Sequence, residues 1–345
     1  MIDSGVRRAA EHFSLNRALL EARRLGGQST LRFLQFAPSA LLGYHQSALQ
    51  ELELDYCAGH GITVQRRISG GGAIFMDETQ LGWELYLDTA DVGSRDMTAI
   101  AKRICEAAAR AVTSLGVDAR FRPSNDIEVA GRKISGTSGI FDGDALLYQG
   151  TLLVEFDVEN MLRILRIPAG MLSDKVAEAG KRVVSLSALL GFVPPLDEVK
   201  IRLQQSFEKE FGVTFRPGRL TVAELELYEA ALPEIDSPEW IHLVGKPRSD
   251  LPIREAERTF PGGLLRVALA YDSPGGRIRM ACFSGDMSII PRRTVADLEA
   301  TLKDAAAADI DGLVQDFFST HDCDMLGLTP EDFIVVLRQA SKSPR

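Results

Sequence analysis

Cysteine and histidine are scarce in this 345-residue chain, at four and five residues. Cys57, Cys105, Cys282 and Cys323 stand far apart and none pairs as CxxC. That excludes a disulfide framework, and a zinc site would need ligands from distant segments. The bland reading is four reduced thiols packed as small hydrophobes. No apolar run approaches the ~18 residues of a membrane span. The N-terminal stretch alternates charge with apolar residues and lacks the core of a signal peptide, so the expected location is the cytoplasm. Positive charge is not in excess either: 39 Lys and Arg oppose 48 Asp and Glu, for a formal charge of −9. Nucleic acid and membrane are therefore not expected as partners.

What remains is an ordinary globular mix, 45% hydrophobic and 25% charged. At roughly 150 residues per domain the length suggests two domains. Ser4 to Leu25 reads as an amphipathic helix capped by Ser4 and ended by Gly26 and Gly27. Strand-like runs follow at Leu31–Phe36, Leu41–His45, Ile62–Ile68 and Leu81–Leu87. A helix covers about Met97 to Leu115, three strand runs occupy 117–156, and helical patterns fill 158–165, 197–211 and 221–231. Strands flanked by helices give an α+β class. The expected organisation is a large mixed-sheet domain over 1–235, a proline-containing linker over 236–252 and a small α+β module over 253–345. In that module Gly263–Tyr271 and Arg277–Phe283 read as a hairpin, followed by helices at Thr294–Ala308, Ile310–Ser319 and Pro330–Ala340.

Two stretches carry chemistry. In Arg66-Arg67-Ile68-Ser69-Gly70-Gly71-Gly72-Ala73, three glycines after a strand let backbone N–H groups converge on phosphate or carboxylate oxygens. If the strand continues, Arg66 and Arg67 lie on opposite faces, so only one need point inward. The competing reading is a loose hairpin with exposed arginines; neither a Walker A loop nor GxGxxG is present. In the second stretch, Ser124-Asn125-Asp126 enters a strand that turns at Ala130-Gly131, and the return strand brings Lys133 beside Asn125 and Asp126. A lysine beside a carboxylate and an amide can hold a polyphosphate with its magnesium and stabilise charge on a phosphoryl oxygen. Against this stands a surface hairpin with a solvated ion pair. RRISGGGAIF (66–75) and RKISGTSGIF (132–141) echo each other without gaps, which suggests two small-residue turns with similar jobs.

RRISGGGAIF, SNDIEVAGRKISGT and YQGTLLVEFD, in this order, resemble the three signature blocks of lipoate–protein ligases, a family that shares its catalytic fold with biotin protein ligases and octanoyltransferases. The resemblance runs from residue 12 to about 190 and continues more weakly through 174–186; the last module resembles the family's accessory domain. It implies attack of lipoate on the α-phosphorus of ATP, giving lipoyl-adenylate, then transfer to a lysine of a lipoyl-carrier domain. Lys133 matches the catalytic lysine at the α-phosphate. Asn125 and Asp126 match the nucleotide and Mg2+ contacts. Arg67, Ser69, Gly70, Gly71 and Gly72 match the lipoate loop, joined by Gln149 and Gly150, and Ala73, Ile74, Ser135, Gly136 and Thr151 fall at ATP-binding positions. Ile74, Phe75 and Trp83 are expected to border the apolar lipoyl tail.

The chain departs from the pattern at two positions, with Met76 and Gln149 where the family usually has histidine; Gln can hydrogen-bond but carries no proton charge. An acyltransferase moving octanoyl or lipoyl groups without ATP would need a thiolate. The stretch matching the transferase Pro-Cys-Gly turn is Ile167-Pro168-Ala169-Gly170, and Ala169 forms no thioester; another family arrangement could bring Cys57 near the site, which keeps the transferase as the alternative. A biotin ligase is disfavoured by the lipoate-type KISG block. A non-catalytic lipoate-binding protein would keep the glycines and lose Lys133, which is present. With the constellation from Arg67 to Thr151 assigned to the first domain, the C-terminal module is expected to gate the second step.

Overall fold

The computed structural model describes residues 1–123, 125–166 and 178–342. Ser124, the Ile167–Gly170 stretch and residues 174–177 lie outside them. The chain divides into two compact units: residues 1–41, 52–65 and 74–237 form the first, and 42–51, 66–73 and 238–345 the second. Along the chain the division falls at residues 237 and 238, but two earlier segments, one holding the glycine-rich loop, group with the second unit.

The first unit is built on a seven-stranded mixed sheet, of order β1-β2-β6-β10-β9-β8-β7. Its strands are β1 (Ile2–Arg7), β2 (Thr30–Phe36), β6 (Leu81–Asp88), β7 (Ala119–Arg122), β8 (Asp126–Val129), β9 (Arg132–Asp142) and β10 (Ala145–Leu152). β3 (Ser39–Leu42), β4 (Thr63–Arg66) and β5 (Ile74–Met76) make a separate small sheet. β6 is apolar and buried along nearly its whole length because both faces are covered. Helix α1 (Ala9–Arg24) packs on one face over β6 and β10, with Arg17 paired to Glu234. On the other face lie α2 (Met97–Thr113) and α4 (Leu196–Phe211). α3 (Val158–Ile164) and α5 (Val222–Ile235) complete the longer helices.

Residues 2–7 form a strand, not the expected first turns of α1. β1 pairs in parallel with β2, Ile2 opposite Arg32 and Arg7 opposite Phe36, and the helix begins only after Arg8, whose N–H donates to the Glu11 carboxylate at 3.0 Å. Ser4 therefore does not cap; its hydroxyl accepts from the buried Arg32 at 2.9 Å.

The second unit carries an antiparallel sheet of β11 (Ile253–Phe260), β12 (Gly263–Asp272), β13 (Arg277–Gly285) and the short β15 (Ala305–Ala306), plus a two-stranded pair of β14 (Ile289–Ile290) and β16 (Asp324–Met325). The expected hairpin is β12–β13; β11 was not anticipated. Helices α6 (Thr294–Thr301), α7 (Ile310–Thr320) and α8 (Pro330–Lys342) close a core that includes Leu265, Leu269, Phe283, Phe333 and Leu337.

Candidate active site

In the first unit the site is created by an irregularity in β9. β8 and β9 pair with Asp126 opposite Gly136 and Ile127 opposite Ser135, but then Glu128 faces Lys133. One residue, Ile134, is extra, and its side chain is fully buried. The hairpin register sets Lys133, opposite Glu128, on the face of Asp126; in a regular strand Gly136 would point to the other face, and the bulge brings it, with the β10 residues in register with it, onto the face of Lys133. Lys133 Nζ lies 2.6 Å from Asp126 Oδ1. That oxygen has no hydrogen bond of good geometry among the described residues, so the link is one of charge. Gly136 sits beneath: a Cβ there would come within 2.8 Å of Lys133 Cε and Nζ. Opposite Glu128 the Lys133 backbone groups point away from β8. The N–H donates to the Arg182 carbonyl at 2.7 Å, and the carbonyl accepts from Val184 at 2.9 Å. The weakly similar stretch near 180 thus pins the lysine. The hairpin turn is Ala130-Gly131, both in the left-handed region (φ 50° and 77°).

Asp126 is also paired with Arg122 from β7, a partner that was not anticipated. Its carboxylate is therefore shared by two cations, and among the described residues no group of three or more His, Cys, Asp or Glu side chains stands together to hold a metal. The residues present do not make a magnesium site of their own, and no step is assigned to the ion.

Alternation along β10 sorts the remaining candidates. Gln149 faces Ser138 and Thr151 faces Gly136, on the Asp126 side; Gln149 donates to the Ser138 hydroxyl at 3.1 Å. Gly150 is on the opposite side. A Cβ there would meet the Trp83 ring at 2.2 Å, so this glycine makes room for an indole. Trp83 itself packs against Phe207 and Tyr148, on the face away from Lys133, and does not border the expected pocket. Ser135 is on that same far side, buried, with a hydroxyl that has no partner among the described residues. Asn125 is clamped by Thr137: its amide donates to the Thr137 carbonyl, and its own carbonyl accepts from both the Thr137 N–H and hydroxyl, each at 2.8 Å. Thr137 in turn meets the buried Tyr148 hydroxyl at 2.8 Å and Cys105 at 3.3 Å. Ile74 is half-buried in β5 opposite Leu41, and Met76 lies in the core opposite Ser39.

Arg67, Ser69, Gly70, Gly71, Gly72 and Ala73 belong to the second unit. They are not a turn like 132–141, which is a continuous strand laddered on both sides; the echo in sequence has no counterpart in conformation. Neither arginine is exposed, and they do not divide between two faces, because the strand ends at Arg66. Arg66 donates to the carbonyls of Gly43, Tyr44, Gln46, Trp240 and Ile241 at 2.6–3.0 Å, and Arg67 donates to Gly70 and Gly72 at 3.1 and 2.9 Å. Burial lowers both guanidinium pKa values to about 10. Backbones approach closely here: a Cβ on Gly43 would fall 1.8 Å from the Gly71 carbonyl, and one on Gly70 2.5 Å from that of Met287. Gly71 donates to Met287 at 3.3 Å.

All four thiols are disfavoured as thiolates. Burial raises the pKa of Cys57, Cys105 and Cys323, and burial with Glu299 nearby raises Cys282 to about 11.

Residues 8–208 match the model of the lipoyl protein ligase A/B catalytic domain. The chain belongs to that family. A lipoate-protein ligase A subunit 1 of Thermoplasma acidophilum is 29% identical over 221 residues, 61% of this chain and 82% of the relative. An octanoyltransferase of Kyrpidia tusciae is 25% identical over 266 residues, 70% of this chain and 97% of the relative. The fold of a Plasmodium falciparum protein, LipL1, solved in complex with lipoate, matches 98% of this chain and 97% of that one with a TM-score of 0.72 at 17% identity. The mixed α/β fold with a smaller C-terminal part is thus shared along nearly the whole chain. No helix of the described residues is long and apolar enough to cross a membrane.

Proposed function

We propose that this family member is an ATP-dependent lipoate–protein ligase. The carboxylate of lipoate attacks the α-phosphorus of ATP, forming lipoyl-adenylate and releasing pyrophosphate. The amine of a lysine on a lipoyl-carrier domain then attacks the mixed anhydride and AMP leaves. The observation that carries this reading is the β9 bulge, which brings a half-exposed Lys133 to one face with Asp126, Gln149 and Thr151. There the ammonium would contact the α-phosphate and the acyl carbonyl and stabilise charge as it develops. Asn125, held at fixed geometry by Thr137, would border the nucleotide with Gly136, Thr151 and Ile74; the buried Ser135 faces the other side of the sheet and is left out. In the first unit Gln149 would lie toward the lipoate; in the second, Arg67, Ser69, Gly70, Gly71 and Gly72 are proposed as a lipoate loop from their match to the family pattern.

The second reading, acyl transfer between carriers without ATP, draws on relatives named octanoyltransferases. It needs a thiolate, and every cysteine has its thiol form favoured. A non-catalytic lipoate-binding relative would have no use for the Lys133 arrangement. The deciding experiment incubates the protein with lipoate, Mg-ATP and a lipoyl domain and weighs the domain. An ATP-dependent gain of one lipoyl group is the expected outcome. The same product from an acylated donor domain without ATP, lost on Cys57→Ala, would establish the transferase instead.

A further inference from the structure

The loop expected to receive an anionic substrate holds its own arginines in internal use. Arg66 is fully buried beneath five carbonyls, and Arg67 is buried with its guanidinium on the carbonyls of Gly70 and Gly72. A third arginine reaches the same loop from far along the chain, within the same unit. The Arg292 guanidinium lies 4.8 Å from the centre of the Tyr44 ring and 5.9 Å from that of Trp240, and its Nη1 is 3.5 Å from the Ile68 carbonyl. Tyr44 is tied to the loop by its N–H, which donates to the Ser69 carbonyl at 2.9 Å. Arg292 is half-buried, and among the described residues no carboxylate pairs with it, whereas its neighbour Arg293 pairs with Asp297 at 3.0 Å.

Aromatic rings hold a guanidinium by its face and leave the N–H groups along its edge for an oxyanion. A partly buried charge with no counter-ion is costly unless an anion completes it. A structural staple would need only the ring contact and would gain from an ion pair, which Arg292 lacks among the described residues; the Asp286 carboxylate, which stands beside Gly72, accepts instead from the Leu264 N–H.

We propose that Arg292 is a substrate-binding residue that receives an oxyanion at the Ser69–Gly72 loop, either the carboxylate of the acid substrate or a phosphate of the nucleotide. The proposal rests on the ligase reading for the identity of its anion, not for the existence of the site. Position 292 carries no sequence signal of its own, because Pro-Arg-Arg before a helix reads as solvated charge.

The test uses the full chain. Pyrophosphate release is measured for wild type, Arg292→Met and Arg292→Lys, varying acid and ATP separately. Direct calorimetric binding of lipoate and of inorganic pyrophosphate is measured for each protein. Methionine keeps the stem and loses the charge; lysine keeps the charge and loses the planar fork. Loss of a charge-assisted hydrogen bond weakens binding about ten- to a hundredfold. The expected result is that Arg292→Met raises KM and Kd for one anion by that factor, with Arg292→Lys intermediate and both melting within about 2 °C of wild type. A shift confined to lipoate assigns the carboxylate, and one confined to ATP and pyrophosphate assigns a phosphate. Unchanged binding of both anions in Arg292→Met, or a lower melting temperature with all constants moved alike, would overturn the proposal. A wild type that binds an anion through Arg292 yet releases no pyrophosphate would refute the ligase reading and leave this site standing.

Discussion

Lys133 is 38% exposed, so its ion pair with Asp126 is screened by water and contributes at most about 1 kcal/mol to folding. Its value lies in the transition state, where a fixed cation meets charge that is absent from the ground state. Lys133→Met should therefore lower the rate of lipoyl-adenylate formation by roughly 10²–10³-fold. The melting temperature should stay near that of wild type. Pyrophosphate release at the wild-type rate would remove Lys133 from the chemistry. Arg66 is the opposite case. It is buried with its charge spread over five carbonyls, and its contribution is to fold rather than to reaction.

At the scale of elements, β9 and β10 carry two glycines in register-related positions whose reasons differ. At Gly136 an added methyl would meet the end of the flexible Lys133 side chain; at Gly150 it would meet the rigid, buried Trp83 ring. Gly136→Ala is expected to push the ammonium off Asp126 and cost activity while leaving stability within about 0.5 kcal/mol. Gly150→Ala should cost roughly 1–3 kcal/mol of stability through overpacking. Denaturant midpoints and adenylation rates, measured on both variants, separate the two. Equal effects on both quantities in both variants would mean that the two faces of the sheet are not distinct in the way the register implies.

At the scale of the whole molecule, two buried histidines set the response to acid. His12 in the first unit accepts at Nδ1 from Arg32 and is driven down to about 2, chiefly by burial; His45 in the second is driven down to about 3 by burial, Arg66 and Arg292. Both stay neutral in the folded state while the unfolded chain takes up protons near 6.5, so their stabilising contribution is full above that pH and is lost as pH falls. Glu299 has the opposite sign. Burial raises it to about 7, so between 7 and 4.5 the folded state holds a proton that the unfolded state has released. Two protons against one leave a net loss of roughly 1.4 kcal/mol per pH unit between 6.5 and 4.5. Urea midpoints should fall across that window, and a flat profile would contradict the assignment. The division into units also revises the role expected for the C-terminal module. The loop from Arg66 to Ala73 groups with residues 238–345, and Gly71 bonds to Met287, so truncation removes part of what holds that loop. Truncation after Pro247 is now expected to depress pyrophosphate release from lipoate and ATP more than transfer from preformed lipoyl-adenylate. Intact pyrophosphate release with lost transfer would restore the gating expectation.

The sequence by itself determined the family, the α+β class and most helices and strands, because periodicity and turn residues are local signals. It also brought Lys133 beside Asp126, since Ala130-Gly131 allows a two-residue hairpin and little else. Tertiary structure decided the rest. The first strand replaced a turn of helix because a parallel partner, Ile2 opposite Arg32 and Arg7 opposite Phe36, outweighs local helical periodicity. Which residues of β9 and β10 share the face of Lys133 depends on a single extra residue, Ile134, which reverses every β9 side chain beyond it. Trp83 and Gly150 looked like ligand contacts in a motif and proved to be each other's packing partners. The grouping of the glycine-rich loop with the second unit, like the place of Arg292 beside it, carries no local signal. The bonds that hold it, from Met287, Trp240 and Ile241, span more than 170 residues, and no local pattern encodes contacts at that distance.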